Sequence, residues 1–446
     1  MWNNLPVRIW KKLRSLLRWF RPGLGVKRWF IFVLIGITVL GLGFGVIFID
    51  IYHNEAADSL LHTLLAFVSL NFMPRILRAA IFGGVGIGFV AYGMLRLNRS
   101  LLSPFIRSGS ELLDHLKSFR HRDRGPHIVT IGGGHGLATL LRGLRNYTRN
   151  LTAVVTVADD GGSSGKLRAS QGILPPGDIR NCLAALSNDE ALLAQLFQYR
   201  FSGSPGLEGH SFGNLFIAAL ADITGSFEDA VAESGRVLSV HGRVLPSTLH
   251  NVKLVASMEM PNSNNEVRVE GESKIPKVAG KVRRVWLEPD DAPAFPPVIK
   301  AILNADVIVV GPGSLYTSLV PNLLVHDLLA AMHTSRAIKI YVCNIATQAG
   351  ETDFFTCYDH VRALEKHIGE GLFDIILCNN HYNQDVGSSS SQWVIADEEF
   401  LSDSRIVCAN LVDANNPWHH DSGKLAQAIM NFLYERTGPL GENKPR

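Results

Sequence analysis

The stretch His127-Ile128-Val129-Thr130-Ile131-Gly132-Gly133-Gly134-His135-Gly136 decides the fold. A short apolar run breaks into glycines, and an amphipathic stretch, Leu137 to Tyr147, follows. The pattern predicts strand, tight turn, helix. A second apolar run, Leu151 to Ala158, ends in Asp159-Asp160-Gly161-Gly162-Ser163-Ser164-Gly165. Both glycine turns then fall at the end of a parallel strand, the edge of an open α/β sheet where ligands bind.

Glycines at a strand end let the backbone turn tightly and let bare amides approach a phosphate, and the next helix adds its positive end. Gly132, Gly133, Gly134, His135 and Gly136 are therefore candidate phosphate or pyrophosphate ligands. The plainer alternative is a turn that only packs helix on sheet. The dinucleotide pattern G-x-G-x-x-G is not met, because Leu137 stands at its last glycine, and no Walker A spacing is present.

Asp159 and Asp160, followed by Gly161, Gly162 and Ser163, join carboxylates to bare amides. That pairing fits a magnesium–phosphate arrangement or a clamp on sugar hydroxyls, against a strand end closed by an Asp turn. Leu174-Pro175-Pro176-Gly177-Asp178 leads into another helix, with Asp178 as its expected cap. Asn181 lies in the first turn of that helix and is a candidate to read base or sugar. Arg180, beside it, is as consistent with a surface ion pair as with an anion ligand. Gly209-His210-Ser211-Phe212-Gly213 matches the nucleophile elbow G-x-S-x-G, but a loop precedes it where that motif needs a strand. It reads instead as a helix start that turns Asn214 toward a ligand, with Asn214 to Thr224 buried all along.

Further on, 226–250 reads as a helix and a turn, Gly242 to Ser247. Three β-rich segments between Asn251 and Pro289 read as an inserted antiparallel sheet. Asp306-Val307-Ile308-Val309-Val310 returns to the parallel sheet and ends in Gly311-Pro312-Gly313-Ser314. Gly311, Gly313 and Ser314 thus repeat the logic of the first turn. Ala337 to Asn344, Phe373 to Asn379 and Arg405 to Val412 look like further strands. His419-His420 reads as a polar loop, and Ser422 to Tyr434 as the last helix.

The N-terminal quarter differs. Eight basic residues and no acid precede Trp29, and Trp29 to Ile49 is uncharged. At ~1.5 Å per residue this run can cross ~30 Å of hydrocarbon. Ala79 to Leu95 is a second candidate span, and Gly84 and Gly88 offer close helix packing. Leu60 to Met73 reads as an interfacial or re-entrant helix. A cleaved signal peptide is the rival for the first segment, but no small-residue cleavage site is clear. Lys and Arg flank the pair on one side, which places both ends and the main body in the cytoplasm, as a multi-pass inner-membrane protein. The chain divides into a basic tail (1–28), a transmembrane region (29–96), a juxtamembrane linker (97–125), an α/β body (126–437) and a short tail (438–446).

The 446 residues carry a net charge of +3, too small to imply nucleic acid. Five scattered cysteines form no CxxC pair, and sixteen histidines show no metal-ligand spacing, so small buried thiols in a reducing compartment are expected.

IGGGHGL, VTVADDGGSSGKLR, GILPPGDIRNCL, LFQYRF, GHSFGNL, GRVLPST, GPGSLYTSLVPNLLV and YVCNIATQAGET together resemble the bacterial gluconeogenesis factor family, also called YvcK-like, over roughly Pro126 to Glu435. That family is part of the 2-phospho-L-lactate transferase (CofD-like) superfamily. The resemblance implies a Rossmann-like fold that binds a nucleotide sugar, with UDP-N-acetylglucosamine the usual ligand, and a role in cell shape and wall synthesis during gluconeogenic growth. Wall-synthesis proteins as partners and a homo-oligomer are the matching expectations. The family's loops map to Gly132, Gly133, Gly134 and Gly136, to Asp159, Asp160, Gly161 and Gly162, and to Gly311, Gly313 and Ser314. His135 departs from the family's usual threonine. The rival expectation is a magnesium-dependent transferase of phosphorus-containing groups with a nucleotide-linked donor. A nicotinamide oxidoreductase is disfavoured by the failed glycine pattern.

Overall fold

The computed structural model describes residues 26–52, 70, 72–102, 125–187, 191–203, 206–260, 266–382, 391–397 and 402–437. They fall into two compact units, one up to residue 116 and one from 117 onward. The basic tail before Val26, most of Leu60 to Met73 and most of the expected linker lie outside the described residues.

The first unit is a pair of packed helices, α1 (Val26–Tyr52) and α2 (Arg75–Leu102). Phe32 stacks on Phe89 at 6.2 Å and meets Tyr92 edge-on. The helices approach through Gly36, Gly43 and Gly86. A Cβ on Gly36 would come within 2.8 Å of Val90, and one on Gly43 within 2.9 Å of Phe82. Gly84 and Gly88, the expected packing pair, face open space instead. Among the described residues one helical segment, Arg75–Arg96, is long and apolar enough to cross a membrane, with a mean hydropathy of 1.6. Ile31–Gly45 is apolar but shorter.

The second unit is built on a seven-stranded sheet. Its strands are β1 (Ile128–Gly132), β2 (Leu151–Val155), β3 (Arg243–Pro246), β7 (Val307–Val310), β8 (Ile338–Val342), β9 (Ile375–Asn379) and β10 (Ile406–Ala409). Every pairing is parallel, in the order β10-β9-β8-β7-β1-β2-β3. β1, β2, β7 and β9 are buried along their whole length, as parallel strands covered on both faces require. Chain order runs outward from β1 in one direction and from β7 in the other. The switch point, where such sheets open a crevice, therefore lies between β1 and β7.

A three-stranded antiparallel sheet, β4 (Lys253–Glu259), β5 (Glu266–Glu270) and β6 (Lys281–Glu288), is inserted between β3 and β7 in the order β5-β4-β6. Leu254, Ala256, Met258, Val285 and Leu287 bury one of its faces in the core.

α3 (Gly134–Leu144) buries Leu137, Leu140, Leu141 and Leu144. It packs on the C-terminal helix α13 (Ser422–Thr437) so closely that a Cβ on Gly143 would lie 1.9 Å from the Ser422 carbonyl oxygen.

Two expectations change. Gly242 to Ser247 is not a turn, since Arg243–Pro246 pairs with Thr152–Val155 as the edge strand β3. Its proline sits at an edge, where the missing N–H costs least. The helix α7 (Phe212–Thr224) is not buried all round. Gly213, Asn214, Ile217, Ala218 and Ala221 face inward, whereas Ile223 is 79% exposed.

Candidate functional site

At the switch point the ends of four adjacent strands, β8, β7, β1 and β2, open into a cavity of about 520 Å³. That size suits a small organic ligand.

The β1 end supplies Gly133, Gly134, His135 and Gly136. Gly134 has φ +65°, a left-handed conformation that favours glycine. Gly136 lies so near the next loop that a Cβ would be 2.4 Å from the Pro312 carbonyl oxygen. α3 begins here without a cap from the side chain before it; the Gly134 amide donates to Asp178, and the amides that follow are left for a ligand.

The β7 end supplies Pro312, Gly313, Ser314, Thr317 and Ser318. Leu315–Leu319 winds as a π-turn, a local widening that recurs at functional sites. Asn322, fully buried, donates to the carbonyls of Gly132 (3.0 Å) and Ser318 (2.8 Å) and so ties the two loops together. From the β8 end, the Asn344 amide accepts from Gly313 N (3.2 Å) and donates to Gly313 O (2.9 Å), while Gln348 donates to Ser314 Oγ (2.7 Å). Trp418, His419 and His420 close this side, with the Trp418 ring tilted against Trp393 at 4.8 Å.

The β2 end is acidic. Asp159 accepts from Gly161 N at 2.8 Å. Burial raises its carboxyl, against the hydrogen bonds from Gly161 and Ser164, and Asp160 adds to the rise. Asp178 is not the expected helix cap. The helix α5 (Gly177–Leu186) starts two residues earlier than that cap requires, without a side-chain cap. Asp178 instead faces the glycine loop: it accepts from the Gly134 amide, and a Cβ on Gly133 would sit 2.5 Å from its Oδ2. Burial, then the charge of Asp159, pushes Asp178 up to about 6. On the other side, burial and the guanidinium of Arg180 hold the His135 imidazole below its ordinary value.

The structure therefore brings Gly133, Gly134, His135, Gly136, Asp159, Gly313 and Ser314 to one cavity. The other candidates stand behind its wall. Gly132 ends β1 and Gly311 turns out of β7 at φ +84°. Gly161 and Gly162 start the helix α4 (Gly162–Gln171), and Ser163 meets His210 at 3.1 Å. Asp160 holds the inserted sheet by accepting from Ser273 N at 2.8 Å. Asn181 accepts from Arg180 and Gln198, and Asn214 is buried in α7. Ser211, the residue at the hydrolase-like motif, caps α7 through Asn214 N, which is the helix start expected of it. Residues not singled out from the sequence, Thr156, Glu272, Thr317, Ser318, Thr347, Ser391 and Trp418, also line the cavity. His420 is no surface loop residue: it is buried and meets the Cys343 carbonyl oxygen at 3.2 Å.

Away from the cavity, Cys343, Cys357 and Cys378 place their sulfurs within 4.8 Å of one another. All three are buried, and burial holds the Cys343 thiol well above its usual range, as in a packed apolar core.

The family model described as 2-phospho-L-lactate transferase CofD matches residues 128–414. A relative from Nostoc sp. is 44% identical over 441 residues, covering 94% of this chain and 93% of its own length. The Bacillus subtilis (strain 168) protein named Gluconeogenesis factor is 45% identical over 318 residues, 70% of this chain and 99% of that one. A crystal structure of a UPF0052 family member from Bacillus halodurans matches with a TM-score of 0.64 at 43% identity, covering 68% of this chain and 99% of that chain.

A parallel α/β sheet with a glycine-lined crevice at its switch point is the class these features define. Within it, the chain belongs to the 2-phospho-L-lactate transferase CofD family, on the branch of the gluconeogenesis factors.

Proposed function

We propose that this chain is a membrane-anchored regulator that binds a UDP-sugar, with UDP-N-acetylglucosamine the first candidate, and serves gluconeogenic growth, cell shape and wall synthesis. The observation that carries this reading is the meeting of two amide-rich loops, Gly133–Gly136 and Gly313–Ser318, across the switch point. A pyrophosphate has its donors there, because amides and a helix start stabilise anionic oxygens. The relatives' printed names support the metabolic role.

Asp159 and Asp178 offer the hard oxygen donors that a magnesium ion takes, and the charge of Asp159 raises the cost of ionising Asp178. A divalent cation held by these carboxylates would relieve that repulsion and supply positive charge for the phosphates. The apolar helices α1 and α2 support a hairpin anchor, and the basic flanks favour a body on the cytoplasmic side.

A second reading, transfer of a phosphorus-containing group, is favoured by the carboxylates beside the phosphate loops and by the family's transferase name. Two measurements test the first reading. Gly134→Asp puts a negative charge on the phosphate loop and should abolish UDP-sugar binding; undiminished binding removes the site assignment. Product formation from UDP-N-acetylglucosamine with any acceptor would move the protein to the transferase reading.

A further inference from the structure

The cavity is laid out along the sheet edge. Three strand spacings of about 4.8 Å separate the β8 end from the β2 end, some 14 Å in all. Amides and aromatics (Asn344, Gln348, Trp418) lie at the β8 end, the amide-rich loops in the middle, and the carboxylates Asp159 and Asp178 at the β2 end. The inserted sheet adds one more group to the acidic end: Glu272, from the turn that follows β5.

Glu272 is held from both sides. Its neighbour Gly271, at φ +107°, donates to Leu254 O at 2.8 Å and packs on Asp160, whose Oδ2 would lie 2.2 Å from a Cβ there. Ser273 N donates to Asp160 Oδ1 at 2.8 Å. Further along the same strap, Pro276 O lies where a Cβ on Gly350 would come within 2.0 Å. Among the described residues the Glu272 carboxyl meets no hydrogen-bond donor that would require an acid there. Burial and the charges of Asp159, Asp178, Glu351 and Asp160 all oppose its ionisation, pushing it to about 8. The fold tolerates that cost at a position rigidly aimed into the ligand cavity.

The geometry points to Glu272 as a specificity-determining residue: with the pyrophosphate on the central loops and the nucleobase toward Trp418, the inserted sheet presents Glu272 to the hydroxyl groups of the sugar. Carboxyl oxygens accept from vicinal hydroxyls, which a nucleobase does not offer. The amide and indole groups at the other end suit the flat, amide-like edge of a base. The inference rests on the UDP-sugar reading and adds the ligand's direction and the group that reads it.

The test is calorimetric titration of the full-length chain in detergent with UDP, UDP-glucose, UDP-N-acetylglucosamine and deoxy-sugar analogues of UDP-glucose. Wild type and Glu272→Gln are compared. Glu272→Gln should weaken UDP-sugars about tenfold, the loss of one or two hydrogen bonds, and leave UDP within about twofold. Wild type should lose affinity for a deoxy analogue, and this arm stands even if the variant folds poorly. An equal loss for UDP and UDP-sugar, or no loss, overturns the inference while leaving the UDP-sugar reading in place. Wild type that discriminates no deoxy analogue overturns it as well. Wild type that binds neither UDP nor UDP-sugars overturns that reading and this inference with it.

Discussion

Asp178 shows what the site costs the fold. Its carboxyl, ordinarily near 3.8, is pushed up to about 6 by burial and by Asp159. An acid raised in the folded state binds protons more tightly there than in the unfolded chain. The ligand-free body therefore loses stability as pH rises from about 4 to about 6, and the loss persists above. Asp178→Asn should raise ligand-free stability at pH 7 by on the order of 1–3 kcal/mol and flatten that window. Denaturant unfolding in the presence of a chelator, at pH 4.5 and 7, checks it; equal gains at both pH values would contradict it. His360 and His420, both held to about 4 by burial, act in the opposite sense. Their contribution is full above about 6.5 and fades as pH falls toward 4, so only the difference between wild type and variant isolates the carboxyl. A steric counterpart is Gly136. Gly136→Val would drive a side chain into Pro312 O and part the two phosphate loops. UDP-sugar affinity should fall at least about tenfold, with the far-UV spectrum of the native fold retained. Native affinity would show that the loops need not touch.

Elements differ in how far their own residues announce them. β1, β2 and β7 were legible because each is a short apolar run closed by glycines, a signal wholly contained in the segment. β3 was not, since Gly242 and Pro246 mimic a turn and only the partner β2 makes a strand of the four residues Arg243–Pro246. Asp178 was misread for a related reason: Pro-Pro-Gly-Asp is a good local capping signal, and the glycine loop it faces lies over forty residues earlier. Glu272, Thr317, Ser318 and Trp418 reach the cavity only through the sheet order and the insertion, which no local pattern encodes. Among the helices, the α3–α13 contact turns on the missing Cβ of Gly143. Gly143→Val should cost about 1–3 kcal/mol by overpacking against Ser422, read as a lower urea midpoint, while UDP-sugar affinity stays near wild type. An unchanged midpoint would mean that the two helices separate freely.

The whole molecule joins an apolar helical pair to an α/β body whose relatives in Bacillus match over that body alone. If the pair is an anchor, the full chain should stay with membranes through high-salt and alkaline washing, and a chain begun at Pro126 should be released. Release of the full chain by salt would reduce the N-terminal region to a surface contact. Gly36, Gly43 and Gly86 set the approach of the pair; two apolar helices were legible in the hydropathy, but not which glycines they use, and among the described residues only Arg75–Arg96 is long and apolar enough to cross a membrane. The central claim concerns the crevice, and one measurement reaches it directly: calorimetric titration of the body with UDP-N-acetylglucosamine, with and without magnesium, followed by analysis of the same sample for products. The account predicts one saturable site, tighter with magnesium, and intact ligand at the end. No binding, or a preference for GDP or NAD over UDP-sugars, would contradict it.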